Sequence, residues 1–580
     1  MVTEKAMNKN ILSSLLAFET SLILSLIVFF SLINPRFYYS KRVIFVCCFI
    51  TLFWFVLTLF STISSKKNKK ITAYLISALV FLLIIFYMIR TVWFHSYLSL
   101  TPEYAFFNKV GNSDTFYLSG LCEAIKNYGY PALLSQGLVY HKYHYFSIVL
   151  LAIISKIVGV PCLVVYNFLY PVVFLPMFAY LFFQAVGVVR EYLSKNQVIT
   201  ISDIVFSIFV IVGFLPLRHL YAIHINWYTI FLSESYCVSL VLILMYVFVI
   251  GWFNNKKNGK KFIIYMITPF FLFLITATKI SVGVIFFILL AWIFIRTQGF
   301  KLSSVLSVGA GFVLLLFSLS LFVRESQNIN EKTFTWFHYI TSYVSPEYWI
   351  SHLFFILFPS LVLLVLSKGT QSFGEFVKTK NAILAEAALI TTFCSILPGI
   401  FFEIEGGSAS YFFLPALFVS LFILLCSSKV QLQFANFAKE SKIILFMLLL
   451  VIYGESFINE SYNYGSICIS NTPPHMIEQW QAGKQGNELV VENRFFKTLN
   501  KINRMTTGKK KQYCLLVTDS CEIFKLYKND NYYFVGSHGL LAITAYLGLP
   551  VINTIEEAKE MHIDNILVLE KDIYKIINSK

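Results

Sequence analysis

Long apolar runs alternate with short polar breaks through the first four fifths of this 580-residue chain. The runs fall near 11–33, 42–63, 72–93, 144–160, 162–188, 199–218, 228–252, 262–280, 281–296, 302–323, 352–367, 382–402, 411–427 and 442–458. Each approaches or exceeds the roughly 20 apolar residues with which a helix crosses a bilayer. Backbone groups in hydrocarbon must bond to one another, and runs rich in Phe, Ile and Leu without strand-like alternation select helices. From about Pro473 the pattern changes. Strand candidates at Gln512–Ser520, Asn531–Ser537, Leu549–Ile552 and Asp564–Glu570 alternate with helix candidates at Cys521–Asn529, Gly539–Gly548 and Ile555–Ile563. That order predicts a small parallel sheet. The expected organisation is a multi-spanning helical domain over 1–460 and a small soluble α/β domain over 473–580.

Composition agrees with a polytopic membrane protein: hydrophobic residues make up 57% and charged residues 13%, with a mean hydropathy of +0.71. The net charge of +16 does not point to nucleic acid, because the basic residues punctuate the apolar runs. They cluster at Lys66–Lys70, Arg190–Lys195, Lys256–Lys261, Arg296–Lys301 and Lys429–Lys442, as cytoplasmic loops do. With Lys5, Lys9 and Lys66–Lys70 inside, the loop over 94–143 lies outside. So do Arg218–Tyr228, Arg324–Ile350, Glu403–Tyr411 and the tail. One conflict remains: two full crossings over 144–160 and 162–188 would put Arg190–Lys195 outside. Either one of those runs is a half-helix or this cluster breaks the rule. An external tail requires an odd number of crossings, about 13. The ten cysteines lie mostly in apolar runs without a CxxC pair, which indicates neither zinc nor a disulfide framework. Cys514 and Cys521 in the tail are read as buried thiols that could pair only in an oxidising setting. No cleavable signal peptide is expected at the N-terminus.

The loop over 94–143 is the longest polar interruption among the apolar runs. Asp114 follows the polar turn Gly111, Asn112, Ser113. An amphipathic segment runs from Thr115 to Asn127, with Phe116, Leu118, Leu121 and Ile125 apolar and Glu123 and Lys126 polar. Gly129, Tyr130 and Pro131 end it. Tyr140, His141, Tyr143, His144 and Tyr145 then lead into the next apolar run. Asp114 suits general-base work and equally suits capping the helix that follows it. His141 and His144 have the spacing of a metal pair without a third ligand in reach; acceptor or phosphate contact and interface anchoring remain open for both. Glu234, Lys279 and Glu386 stand within or beside apolar runs, where ionisable groups usually face a cavity. Glu403 and Glu405 precede a flexible Gly406–Gly407–Ser408 turn.

The strings SDTFYLSGLCEAIKNYGYP and YHKYHYFSIVLLAIISKIVGVP, with an external tail after many spans, resemble the GT-C superfamily of membrane glycosyltransferases, such as protein O-mannosyltransferases and lipid A aminoarabinose transferases. The likeness covers residues 72–190 at motif level and the rest by architecture. It departs in that Asp114 is followed by Thr115, where the family often has Asp-Glu. The Tyr/His cluster stands in place of a Pro-Pro before the next helix. The resemblance implies a polyprenyl-phosphate sugar donor, a lipid, glycan or protein acceptor, and inverting transfer with Asp114 as base. It also implies cations for the lipid phosphate, for which Arg218, His219, His224, Lys279 and Arg324 are candidates along with His141 and His144. No second acidic motif of the metal-dependent members is evident, so a divalent metal stays open. A polysaccharide polymerase or ligase, and a transporter or flippase of lipid-linked saccharides, are the alternatives; the chain has neither the internal repeats of many transporters nor the arginine-rich external loops of polymerases.

A cysteine-accessibility scan in intact bacterial cells tests this topology. Positions within 98–140 and 480–575 are expected to label from outside, and positions within 66–70 and 256–261 only after permeabilisation. Protection of both 98–140 and the tail in intact cells would rule the topology out.

Overall fold

The computed structural model describes residues 113–158, 161–169, isolated positions between 178 and 193, 234–254, 263–322, parts of 356–368, 371–401, 410–426, 494–526, 531–532 and 536–579. The apolar runs at 11–33, 42–63, 72–93, 199–218 and 442–458 lie outside the described residues. In chain order the helices are α1 (Ser113–Tyr128), α2 (Phe146–Val158), α3 (Cys162–Leu169), α4 (Glu234–Asn254), α5 (Thr268–Thr278), α6 (Ile280–Gln298), α7 (Leu302–Phe322), α8 (Lys380–Phe401), α9 (Ser410–Cys426), α10 (Arg494–Thr506), α11 (Glu522–Leu526), α12 (His538–Leu547) and α13 (Ile555–Glu560). The chain forms two compact units, one of residues 1–177 with 472–580 and the other of 178–471.

In the first unit, α1 lies between the apolar helices α2 and α3 and the tail helix α12. Phe116, Leu118, Leu121, Cys122 and Ala124 are buried, as the amphipathic pattern predicts. The presumed polar side of α1 is covered as well. Glu123 is only 4% exposed, because α3 and the end of α12 close over it. After α1, β1 (Ala132–Leu133) and β2 (Val139–Tyr140) form a short antiparallel hairpin. At 13 residues, α2 reaches roughly 20 Å, short of the roughly 30 Å of a bilayer core.

The tail builds a four-stranded sheet in the order β6 (Val551–Ile552), β3 (Tyr513–Val517), β7 (Asn565–Glu570), β8 (Ile573–Asn578). β3 pairs in parallel with β6 and β7, as strands alternating with helices require. Two expectations are corrected. Asn531–Ser537 does not join the sheet; its ends pair with each other as β4 (Asn531–Tyr532) and β5 (Gly536–Ser537). Nor is β7 the last strand. Lys571, at φ 52°, helps reverse the chain within two residues, and β8 returns antiparallel. The sheet is therefore mixed. Leu541–Leu547 of α12 are all buried, as expected of a helix apolar all round. Cys514 and Cys521 are free and buried.

In the second unit, α4, α6, α7 and α8 are each long and apolar enough to cross a bilayer. Phe312, Val313, Leu316 and Phe317 of α7 are all exposed, a surface of the kind hydrocarbon covers in a membrane protein. The runs at 262–280 and 281–296 meet in a hairpin whose single linking residue is Lys279, in extended conformation (φ −153°, ψ 112°). Arg296 near the end of α6 meets Glu386 near the start of α8. The segment containing Phe178 and Phe182 runs alongside α9 in the same direction, with ring pairs Phe178–Phe418 and Phe182–Phe422 at 5.7 and 5.5 Å. Val188 lies against Gly251 near the end of α4. Arg190 thus stands at the end of this unit that carries Arg296 and Cys426.

The α5–α6 hairpin closes only because residue 283 lacks a side chain. A Cβ there would sit 2.2 Å from Thr276 Oγ1 and 2.7 Å from its Cα. Gly283→Ala is expected to cost about 1–3 kcal/mol, as overpacking does, read as a lower unfolding temperature of the detergent-purified protein. An unchanged transition would show that the hairpin is looser than described.

Candidate functional site

The first turn of α1 carries Asp114, which is exposed. Tyr117 follows at i+3, on the same face. Its hydroxyl bonds His141 Nε2 at 2.6 Å, and the His141 ring is 5% exposed. The His141 backbone is held by its N–H donating to Pro131 O at 3.0 Å, so the turn after α1 delivers the imidazole. Tyr143 meets Tyr117 edge-on at 5.8 Å and stacks on His144 at 3.9 Å. The Tyr/His cluster therefore folds back on α1 at Tyr117, one helical turn after Asp114. An exposed carboxylate can accept a proton from, and orient, a hydroxyl or amine. His141, one of the candidates for substrate contact, is buried with its Nε2 on the Tyr117 hydroxyl.

A second polar cluster anchors the other end of α1. Glu123 Oε1 accepts from the Cys162 N–H at the start of α3 (2.8 Å) and from Lys126 Nζ (3.3 Å). Glu123 Oε2 accepts from Asn127 Nδ2 at 2.9 Å, and Asn127 Nδ2 also reaches Gly548 O at 3.4 Å. A carboxylate at a helix N-terminus is favoured by the unpaired amides and by the dipole. Gly548 ends α12 at φ 62°, and a Cβ there would fall 2.8 Å from Glu123 Oε2 and 2.7 Å from Asn127 Nδ2. Only glycine allows both that conformation and that approach. The tail adds Lys510, whose Nζ donates to Asn503 Oδ1 at 2.8 Å and to Leu547 O; its own carbonyl accepts from Tyr128 Oη at 3.2 Å. Removing Glu123 would leave Lys126, Asn127 and the buried Cys162 amide without their acceptor, a loss on the order of 1–3 kcal/mol.

Burial pushes the Lys510 ammonium down to about 8, with Glu123 opposing and Lys126 adding to the shift. Lys126 moves the other way: burial works to lower it, but the Glu123 carboxylate and lesser contributions raise it overall. Tyr128 is pushed up, first by burial.

In the second unit Lys279 is 7% exposed at the hairpin apex. Its ammonium lies 5.0 Å from the Tyr236 ring centroid and 4.3 Å from that of Tyr411, within cation–π range. Tyr236 Oη donates to Tyr411 O and sits 3.3 Å from Ser281 Oγ. Glu234, 1% exposed, opens α4 two residues before Tyr236. Glu386 pairs with Arg296 through contacts of 2.6 and 3.1 Å. That ion pair accounts for an acid first read as facing a cavity. Arg218, His219, His224, Arg324, Glu403 and Glu405 lie outside the described residues. No group of three or more His, Cys, Asp or Glu side chains that could hold a metal is found among the described residues. His141 Nε2 is already engaged by Tyr117.

Comparisons with protein-family models, with curated proteins and with solved structures find no match. Sequence reading missed Tyr117, Glu123 and Lys510 as members of these clusters. The one available signal was Glu123, an acid amid the buried positions of an amphipathic helix. Lys510, nearly 400 residues away, gives none.

Lys510 generates a pH dependence. Its folded pKa lies below the unfolded value of 10.5, so the unfolded chain binds more protons between about pH 8 and 10.5, and folding gains stability as pH rises through that window. Lys126, shifted upward, contributes stability that is fully present below 10.5 and lost only above the window. The unfolding temperature of the purified protein, relative to Lys510→Met, should rise from pH 8 to 10. Parallel curves for the two proteins would refute a buried Lys510 charge.

Proposed function

We propose that the chain is an integral-membrane glycosyltransferase of bacterial type. It takes a sugar from a polyprenyl-phosphate-linked donor and transfers it to a lipid, glycan or protein acceptor on the extracytoplasmic face. The observation that supports this reading is the contact of Tyr117 with His141 and Tyr143, one helical turn after the exposed Asp114. In a single inverting displacement, the acceptor oxygen or nitrogen bonds to the anomeric carbon as the bond from that carbon to the phosphate oxygen breaks. Asp114 takes the acceptor proton, and the polyprenyl phosphate leaves as its anion. Tyr117, held by His141, orients the acceptor.

Transfer from a polyprenyl-phosphate sugar by membranes carrying the protein is the direct test. Asp114→Asn is expected to retain donor binding while transfer falls at least about a hundredfold, as loss of a general base gives. Full activity in that variant would reduce Asp114 to a helix-start residue. Donor-independent solute flux in proteoliposomes would favour a transporter.

A further inference from the structure

The tail carries a charged surface that the transfer reading does not use. Arg494, Lys497, Lys501 and Arg504 follow one another at helical spacing along α10 and are all exposed, forming a single stripe. Phe495, Leu499 and Ile502 on the opposite side are buried, so the stripe is held outward. Lys509 and Lys511, also exposed, extend it toward β3. No acid occurs from Arg494 to Thr518.

Apolar residues border these cations. α10 packs on β8, where Thr498 Oγ1 donates to Asp572 O at 2.6 Å and the Lys501 ammonium lies 5.7 Å from the Tyr574 ring centroid. β8 is an edge strand. Its Ile576, 53% exposed, shares the α10 face with Tyr574, while Ile573 and Ile577, 61% and 42% exposed, flank the edge on the other face of the sheet. Two acids stand beside them: Glu570, matched by Lys575 at 3.4 Å, and Asp572, which immediately precedes Ile573. The opposite edge of the sheet has the opposite sign: α13, beside β6, bears Glu556 and Glu560, both exposed. The tail is thus charge-polarised, with cations and isoleucines sharing one edge. A soluble polyanion needs only the cations. Cations flanked by exposed isoleucines suit a surface that is anionic outside and hydrocarbon beneath.

We propose that the α10–β8 edge of the tail rests on anionic phospholipid headgroups, with the stripe neutralising phosphates and the isoleucines reaching toward the acyl boundary. The test uses the full-length protein in nanodiscs of phosphatidylcholine with or without phosphatidylglycerol. Acetylation of individual lysines is followed by mass spectrometry. Lys497, Lys501, Lys509 and Lys511 are expected to react at least about fivefold more slowly in the anionic discs, with the difference abolished by molar salt. Lys559, on the acidic edge, should react equally in both. The Lys497→Glu/Lys501→Glu/Arg504→Glu protein should lose the protection at Lys509 and Lys511. Equal rates in the two lipids would overturn the proposal. Protection by soluble polyphosphate irrespective of lipid would overturn it in favour of a free-polyanion site. Protection that appears only when two copies share a disc would overturn it in favour of self-association.

Discussion

The first unit depends on one buried carboxylate. Glu123 joins α1 to the first amide of α3 and to Asn127, which in turn reaches the end of α12. A carboxylate this deep is tolerable only when its oxygens are satisfied. Here Cys162 N–H, Lys126 and Asn127 satisfy it, and Gly548 lets the tail come close enough to complete the enclosure. The cost of breaking any part falls on all of them, so α1, α3 and the tail hold together as one body.

That body explains how an exposed group can be held still. Asp114 stands in the first turn of a helix whose far end is locked, Phe116 beside it packs on His538 of the tail, and Tyr117, one turn on, is bonded to His141. Precise placement of one carboxylate needs such a rigid mount. The second unit handles its charges in a related way. Lys279 is held at a hairpin apex under two tyrosine rings, while Arg296 and Glu386 neutralise each other toward the opposite end of the same helix. Charges within apolar helices are tolerated when they are placed at ends or paired.

The candidate site was partly legible before the fold was known. Asp114 and His141 stood out within the longest polar interruption among the apolar runs, and Lys279 as a cation amid apolar sequence. Their surroundings did not. Tyr117 read as one of many aromatics, and the spacing of Tyr117 and His141 carries no period that would announce a hydrogen bond. Glu123 and Lys126 fell on the polar side of an amphipathic pattern, and periodicity assigns that side to water unless a partner is known. The partner is the tail.

What the chain settles by itself are the quantities local in sequence: the helical runs set by hydrocarbon-compatible composition, their basic punctuation, and the alternation of strand and helix in the tail. The break at Lys279 was visible as the boundary between two apolar runs. Only the tertiary structure decided that β8 closes the sheet antiparallel, that Arg190 groups with the ends of α6 and α9, and that the tail seals the polar side of α1. The physical reason is range. Helix and strand periods arise from contacts a few residues apart, whereas the burial of Glu123 depends on Cys162 and Gly548, groups that meet it only after the chain has folded.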